Sequence, residues 1–313
     1  MRNRLPSLFR AAVVLAASLL CLELMLQAYV AVIAKRGKLF DYDVETGWHT
    51  LPNLDLVRLN AANQEWLIKT DASGLRTLSN QVAPDRSNLL ILGDSFAFGE
   101  GVMLEERFDA YIKRAMPDVN IVNTGTPGYG TDQEYVLGRK FFKSLHQDDV
   151  ILVLLYVNDF YDVLRKEFAL RSKPYFIREG NQWQLRNPEI GAFQWLRDRS
   201  YLISVLGQLF EAPPGAAWDF DAAQSIVTHI LERIAAEKPS SVPVVLGYHG
   251  RLVGVPWPPN IQMSELCTRV ALCIDLDPSL DAKTDFLPDG HWTPSGHKSI
   301  GERLAGALES LTK

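Results

Sequence analysis

The chain has 313 residues, enough for one α/β domain with insertions once an N-terminal segment is set aside, and too few for three ordinary domains. At 47% hydrophobic and 22% charged, with no low-complexity run and no internal repeat, the composition excludes a disordered or solenoid chain. Three of the 32 Lys/Arg and one of the 37 Asp/Glu lie in the first 34 residues; the remainder has 29 and 36, a net charge of −7 and no Lys/Arg cluster, which argues against a nucleic-acid partner.

Residues 1–34 do not read as part of the fold. Arg2, Arg4 and Arg10 precede an apolar run from Ala11 to Ala34, broken only by Ser18, Glu23 and Gln27. As a helix this run can cross about 30 Å of hydrocarbon, and it is longer than the roughly 7–15 residues of a secretory h-region. A retained, single-pass signal anchor is expected, with cleavage after Ala34 as the alternative. Cys21 follows Leu20, where a lipidated cysteine would want a small residue. Glu23 is costly in lipid and is expected either to face a partner helix or to be tolerated. Lys35, Arg36 and Lys38 balance the arginines before the span, so charge asymmetry gives no vote on orientation. The domain is placed on the extracytoplasmic side because the apolar segment is first and single.

Residues 35–87 carry short extended stretches and turns without helical period, and read as a β-rich lead-in. Alternation then begins: a strand at Asn88–Leu92, a helix at Glu105–Met116, a strand at Val119–Val122, a helix at Asp132–Leu145, and an apolar, β-branched strand at Asp149–Val157. It lapses in an insertion at about 160–214, where Pro174–Ile177 and Trp183–Leu185 flank Glu179-Gly180-Asn181 as a hairpin and Leu196–Phe210 looks helical. It resumes with a helix at Asp221–Glu237, a strand at Val242–Tyr248, a helix at Ile261–Thr268, a strand at Leu272–Leu276 and a final helix at Pro294–Leu311. The expected architecture of 88–313 is a three-layer α/β/α domain, flavodoxin-like, with a mostly parallel sheet. Cys267 and Cys273 read equally as a disulfide or as two buried thiols, and no metal-ligand spacing is present.

Open parallel sheets bind ligands beyond the carboxyl ends of their strands. Those ends carry Gly93-Asp94-Ser95, then the glycine-rich run Asn123 to Gly130, then Asn158-Asp159, then His249, and before the last helix Asp289-Gly290-His291-Trp292. This is what acyl transfer needs. A serine hydroxyl becomes nucleophilic when an imidazole takes its proton, and an acid fixes that imidazole. Preorganised N–H donors stabilise the alkoxide; here these would be the backbone N–H of Ser95, that of Gly128, and the side-chain amide of Asn158.

The blocks resemble those of the SGNH (GDSL-like) hydrolase superfamily, from about Asn88 to the C-terminus apart from the insertion. The resemblance implies Ser95 as nucleophile, His291 as base, Asp289 as its partner, and Ser95, Gly128 and Asn158 as oxyanion donors, with no cofactor. The common last block is Asp-x-x-His; Asp289-Gly290-His291 is one residue shorter, which is similar to SGNH-like acetyltransferases of exopolysaccharides. Asp285 is the alternative orienting acid, and His297 a weaker alternative base, since Pro294 opens a helix that carries it away. Three more residues are candidates for substrate contact against plainer roles: Asp159 against fixing a loop, His249 against packing, and Trp292, which either packs the imidazole or stacks on a sugar ring.

The resemblance implies a serine esterase of small acyl, chiefly acetyl, esters on envelope or exported polysaccharide; the apolar first segment adds a bacterial inner membrane, with the domain in the periplasm. Its partners would be an acylated carbohydrate or other small ester, and the membrane through the N-terminal helix. The first alternative is a polysaccharide O-acetyltransferase using the same residues. A non-catalytic, membrane-tethered glycan-binding module is the second, and a lipase or thioesterase with a long apolar groove the third.

Overall fold

A computed structural model describes residues 5–29, 37–78, 86–168, 171–180, 182–189, 200–203, 206, 218–250, 258 and 260–311. The N-terminal helix α1 spans Leu5–Ala28, and its Ser7–Ala28 portion is long and apolar enough to cross a membrane. Two antiparallel hairpins follow, β1 (Phe40–Asp43) with β2 (Gly47–Thr50) and β3 (Asp55–Leu59) with β4 (Glu65–Lys69).

The central domain runs β5 (Asn88–Leu92), α2 (Ser95–Phe98), α3 (Phe108–Ala115), β6 (Asn120–Asn123), α4 (Thr131–Phe142), β7 (Val150–Tyr156) and α5 (Asp159–Asp162). The insertion contributes two hairpins, β8 (Glu167–Phe168) with β9 (Arg171–Ser172) and β10 (Tyr175–Glu179) with β11 (Gln182–Arg186). Then come α6 (Phe220–Glu237), β12 (Val244–His249), α7 (Met263–Cys267), β13 (Leu272–Asp275) and α8 (Pro294–Leu308). Of the expected helix at Leu196–Phe210, residues 200–203 and 206 are described, with 201–203 helical; the rest lies outside the described residues.

The five-stranded sheet is parallel throughout, in the order β13-β12-β7-β5-β6. Counted from the first sheet strand this is the flavodoxin-like order 2-1-3-4-5, whose switch point lies between β5 and β7. Every residue of β7 is buried, and the strand's period of two divides it between two cores. Ile151, Val153 and Leu155 pack with α4 and α6, including Tyr135, Ile226 and Ile230. Val150, Leu152 and Leu154 pack with α3 and α8, including Ile112, Ile300 and Leu304. A strand covered on both faces needs apolar residues at successive positions, which is why this run shows no alternation in sequence. Cys267 and Cys273 form a disulfide that ties the end of α7 to β13 across a Cα–Cα distance of 5.3 Å.

Candidate active site

Ser95 opens α2 directly after β5, beside the switch point. Asp94 caps this single turn by accepting from the Phe96 N–H at 2.8 Å, and Gly99 ends it in the left-handed region, its N–H 3.0 Å from the Ser95 carbonyl. As first residue of the turn, Ser95 has an N–H with no acceptor inside the helix, aimed out of its N-terminus. A helix of one turn cannot hold itself, and buried side chains hold it instead. Arg76 donates to the Phe98 and Gly99 carbonyls at 3.0 and 2.9 Å and to those of Val102 and Leu67 at 2.7 and 2.9 Å. It stacks on Trp66 and Phe98, and burial pulls its pKa down to about 9. Arg107, paired with Asp109, reaches the Phe98 carbonyl as well, while the Asn123 amide donates to the Ala97 carbonyl at 2.8 Å.

His291 meets Ser95 from 196 positions away: its Nε2 is 2.9 Å from Ser95 Oγ. Asp289 Oδ2 is 3.2 Å from Nδ1, within ion-pair reach but without hydrogen-bond alignment, and Oδ1 accepts from the His291 backbone N–H at 3.2 Å. The shortened loop works because Gly290 takes φ +91°, a conformation that side chains disfavour, and folds the acid back toward the ring. The Leu287 N–H closes the loop onto the His291 carbonyl at 2.7 Å. Burial alone would lower the His291 pKa; Asp289, with Glu100 and Asp94, outweighs it and raises the imidazole above its ordinary value. Asp289 is lowered in turn, since the contact with His291 outweighs its burial.

The two alternatives stand elsewhere. Asp285 accepts from Ser295 Oγ at 2.5 Å and from the Asp281 N–H at 2.9 Å, stapling the loop before α8. His297 is buried, with Nδ1 accepting from the Phe108 N–H at 3.3 Å.

Gly128 lines the same cavity as Ser95, Asn158 and His291, with φ +80° in a tight approach: a Cβ there would lie 3.0 Å from the Phe168 ring. Asn158 also lines it, but its Nδ2 donates to Asp94 Oδ2 at 3.1 Å and Asp162 Oδ2 at 3.0 Å, so both amide hydrogens are committed to carboxylates. These acids belong to a buried group with Asp132, Glu134 and Asp159. Burial pushes Asp162 up to about 7 and carries Glu134 and Asp159 well above the usual carboxylate range. Lys173, itself buried, pairs with Asp132.

Three expected substrate contacts are corrected. Asp159 is fully buried and accepts from the Tyr156 N–H at 2.8 Å, fixing the turn after β7. His249 is fully buried between Tyr156 and Trp292, with ring centroids 4.1 and 4.7 Å away, and burial takes its pKa well down. Trp292 is fully buried, 4.9 Å from Phe96, which in turn lies 5.2 Å from the His291 ring; it packs the site from beneath and is closed to a sugar. None of the three lines the cavity.

The cavity holds about 630 Å³. Its walls come largely from residues without a motif: Phe40 and Trp48 from the lead-in, Tyr161 from α5, Phe168 from the insertion, and Trp218 before α6. Trp48 stacks on Phe168, and its Nε1 donates to the Pro127 carbonyl at 3.1 Å, so the lead-in braces the loop carrying Gly128. Arg58, Arg165 and Arg171 add cationic groups; Arg58 lies 4.0 Å from Glu100, and Arg165 bonds Asp162 at 3.3 Å.

No family model and no curated protein matches the chain. Solved structures similar to it include a member of the lipolytic protein G-D-S-L family from Veillonella parvula (13% identity, 72% of this chain and 99% of that one, TM-score 0.44). Others are an acetyl xylan esterase from Geobacillus stearothermophilus (12% identity, 73% and 97%, TM-score 0.40) and a psychrotrophic esterase from a Pseudoalteromonas species (12% identity, 72% and 97%, TM-score 0.40).

Proposed function

We propose that the chain is a serine esterase that removes small acyl groups, chiefly acetyl, from a carbohydrate ester, with Ser95 as nucleophile. The observation that carries this reading is the 2.9 Å contact between Ser95 Oγ and His291 Nε2, with Asp289 behind the ring, at the floor of an open cavity. In the first step Oγ attacks the ester carbonyl and its proton passes to His291 Nε2. The tetrahedral alkoxide faces the free N–H at the start of α2 and the N–H of Gly128. Collapse breaks the bond to the sugar oxygen, which leaves with the proton from His291, and Ser95 carries the acyl group. Water then attacks the acyl-serine and gives a proton to Nε2; collapse breaks the bond to Ser95 Oγ, which takes that proton back from Nε2, and the acid is released. Asn158 joins as a third donor by turning one amide hydrogen from a carboxylate to the alkoxide.

A cavity of about 630 Å³ with five aromatic rings is larger than an acetyl group needs and suits a sugar ring against an aromatic face. The same room admits a sugar hydroxyl in place of water, which would make the enzyme an O-acetyltransferase; the ratio of transferred to hydrolysed acyl groups, with a carbohydrate acceptor present, separates the two. A membrane location with the domain on the extracytoplasmic side is supported by the apolar α1 and by the disulfide, which persists in oxidising compartments. A purely glycan-binding role has no use for a serine–imidazole contact. With p-nitrophenyl acetate, a burst of p-nitrophenol followed by slower turnover is expected. Ser95→Ala should lower the rate by about 10³-fold or more. Unchanged release in that variant removes Ser95 from the chemistry.

A further inference from the structure

Among the described side chains of α1, Glu23 and Leu26 alone are shielded; the rest are exposed. What shields Glu23 is the insertion. Its Oε2 accepts from Ser200 Oγ at 2.8 Å and from the Leu202 N–H at 2.9 Å, and its Oε1 accepts from the Tyr201 N–H at 3.0 Å. Gln27, one turn later, donates to Oε1 at 2.8 Å. Four donors thus meet one carboxylate, three of them from residues some 177 positions away.

The depth of Glu23 gives this contact its meaning. The Ser7–Ala28 span is 22 residues, about 33 Å of helix, and Glu23 precedes Ala28 by five residues, about 7 Å. If α1 crosses a bilayer, Glu23 lies inside the hydrocarbon edge, where a lone carboxylate and the free N–H groups of a helix start are both costly. Each satisfies the other here. The residues beside the carboxylate suit the same surroundings: Tyr201, Leu202, Ile203 and Leu206 are uncharged, and Leu206 is 43% exposed.

We infer that α1 is a retained anchor and that Ser200–Ile203 and Leu206 of the insertion enter the bilayer beside it, pinned by Glu23. The bilayer is the occupant of the exposed apolar surfaces of α1 and of Leu206. This rests on the membrane reading of α1 and is independent of any catalytic step. A leader removed on export would have no reason to complete the hydrogen bonding of a segment far along the mature chain.

The full-length chain in its membrane, with Cys21→Ser to silence the thiol in the span, provides the test. A single cysteine is placed either at the docked segment (Leu206→Cys) or on an exposed loop of the domain (Lys283→Cys), and labelling by a membrane-impermeant maleimide is followed. Both positions are exposed in the chain, so neither change disturbs a core. Residue 206 should label at least about tenfold more slowly than residue 283 in the membrane, because water is excluded there. The gap should narrow with Glu23→Leu, which removes the carboxylate that holds the segment. Intact mass should show residues 1–34 still attached. Equal labelling of the two positions in the membrane, or a mass lacking the N-terminal helix, overturns the inference.

Discussion

An imidazole accepts the serine proton only when it is itself unprotonated, so the pKa of His291 fixes the acid limb of the reaction. Because Asp289, Glu100 and Asp94 raise that pKa against the effect of burial, kcat/KM should fall as pH drops through a midpoint above the ordinary value of about 6.5. Asp289→Asn removes the largest raising contribution. The midpoint should then move to lower pH, and the rate at high pH should fall by about 10–10². A pH–rate profile with an unmoved acid limb in that variant would assign the shift to other groups. Ser95 and His291 stood out as candidates in the sequence, Ser95 because its block follows a strand and His291 because its block precedes the last helix; the fold brings the two within 2.9 Å. For Asp159, His249 and Trp292 the sequence left substrate contact open against a plainer role, because a residue at the rim of the sheet can point outward or down into the layer; the structure gives all three the plainer role. His249 lies in register with Tyr156 on the neighbouring strand and shares its packing.

At the scale of elements, Ser95, the proposed nucleophile, rides on a four-residue turn whose geometry is imposed from outside. Arg76 is the main restraint, since its guanidinium bonds four carbonyls from two stretches of chain, β4 and residues 98–102. Arg76→Ala should destabilise the domain by about 3 kcal/mol or more, the scale of losing several charged hydrogen bonds in a buried place. Arg76→Lys should recover only part, because an ammonium cannot reproduce the planar fork. Denaturant unfolding measures both; full stability in the alanine variant would mean that the lead-in does not brace the site. No sequence signal marked Arg76, as a single arginine after a turn is ordinary on a surface. The same holds for the cavity walls: Trp48 and Phe168 sit in hairpin strands too short to show a period, and Trp218 lies just before α6. The strands β5 and β7, by contrast, declared themselves through unbroken apolar runs.

Across the whole molecule, the 2-1-3-4-5 strand order places the β5 and β7 ends side by side, and these ends carry Ser95 and Asn158. The loop after β6 brings Gly128 from one side, and the loop before α8 brings His291 from another. The lead-in hairpins and the insertion then wall the notch, so the segments outside the repeating α/β pattern set its shape. The most direct test of this account is peptide mapping by mass spectrometry after the protein meets a fluorophosphonate or p-nitrophenyl acetate. One adduct is expected, on the peptide containing Ser95, and it should vanish in Ser95→Ala and fall sharply in His291→Ala. An adduct on another residue, or one that persists in the Ser95→Ala protein, would contradict the assignment of Ser95 as nucleophile.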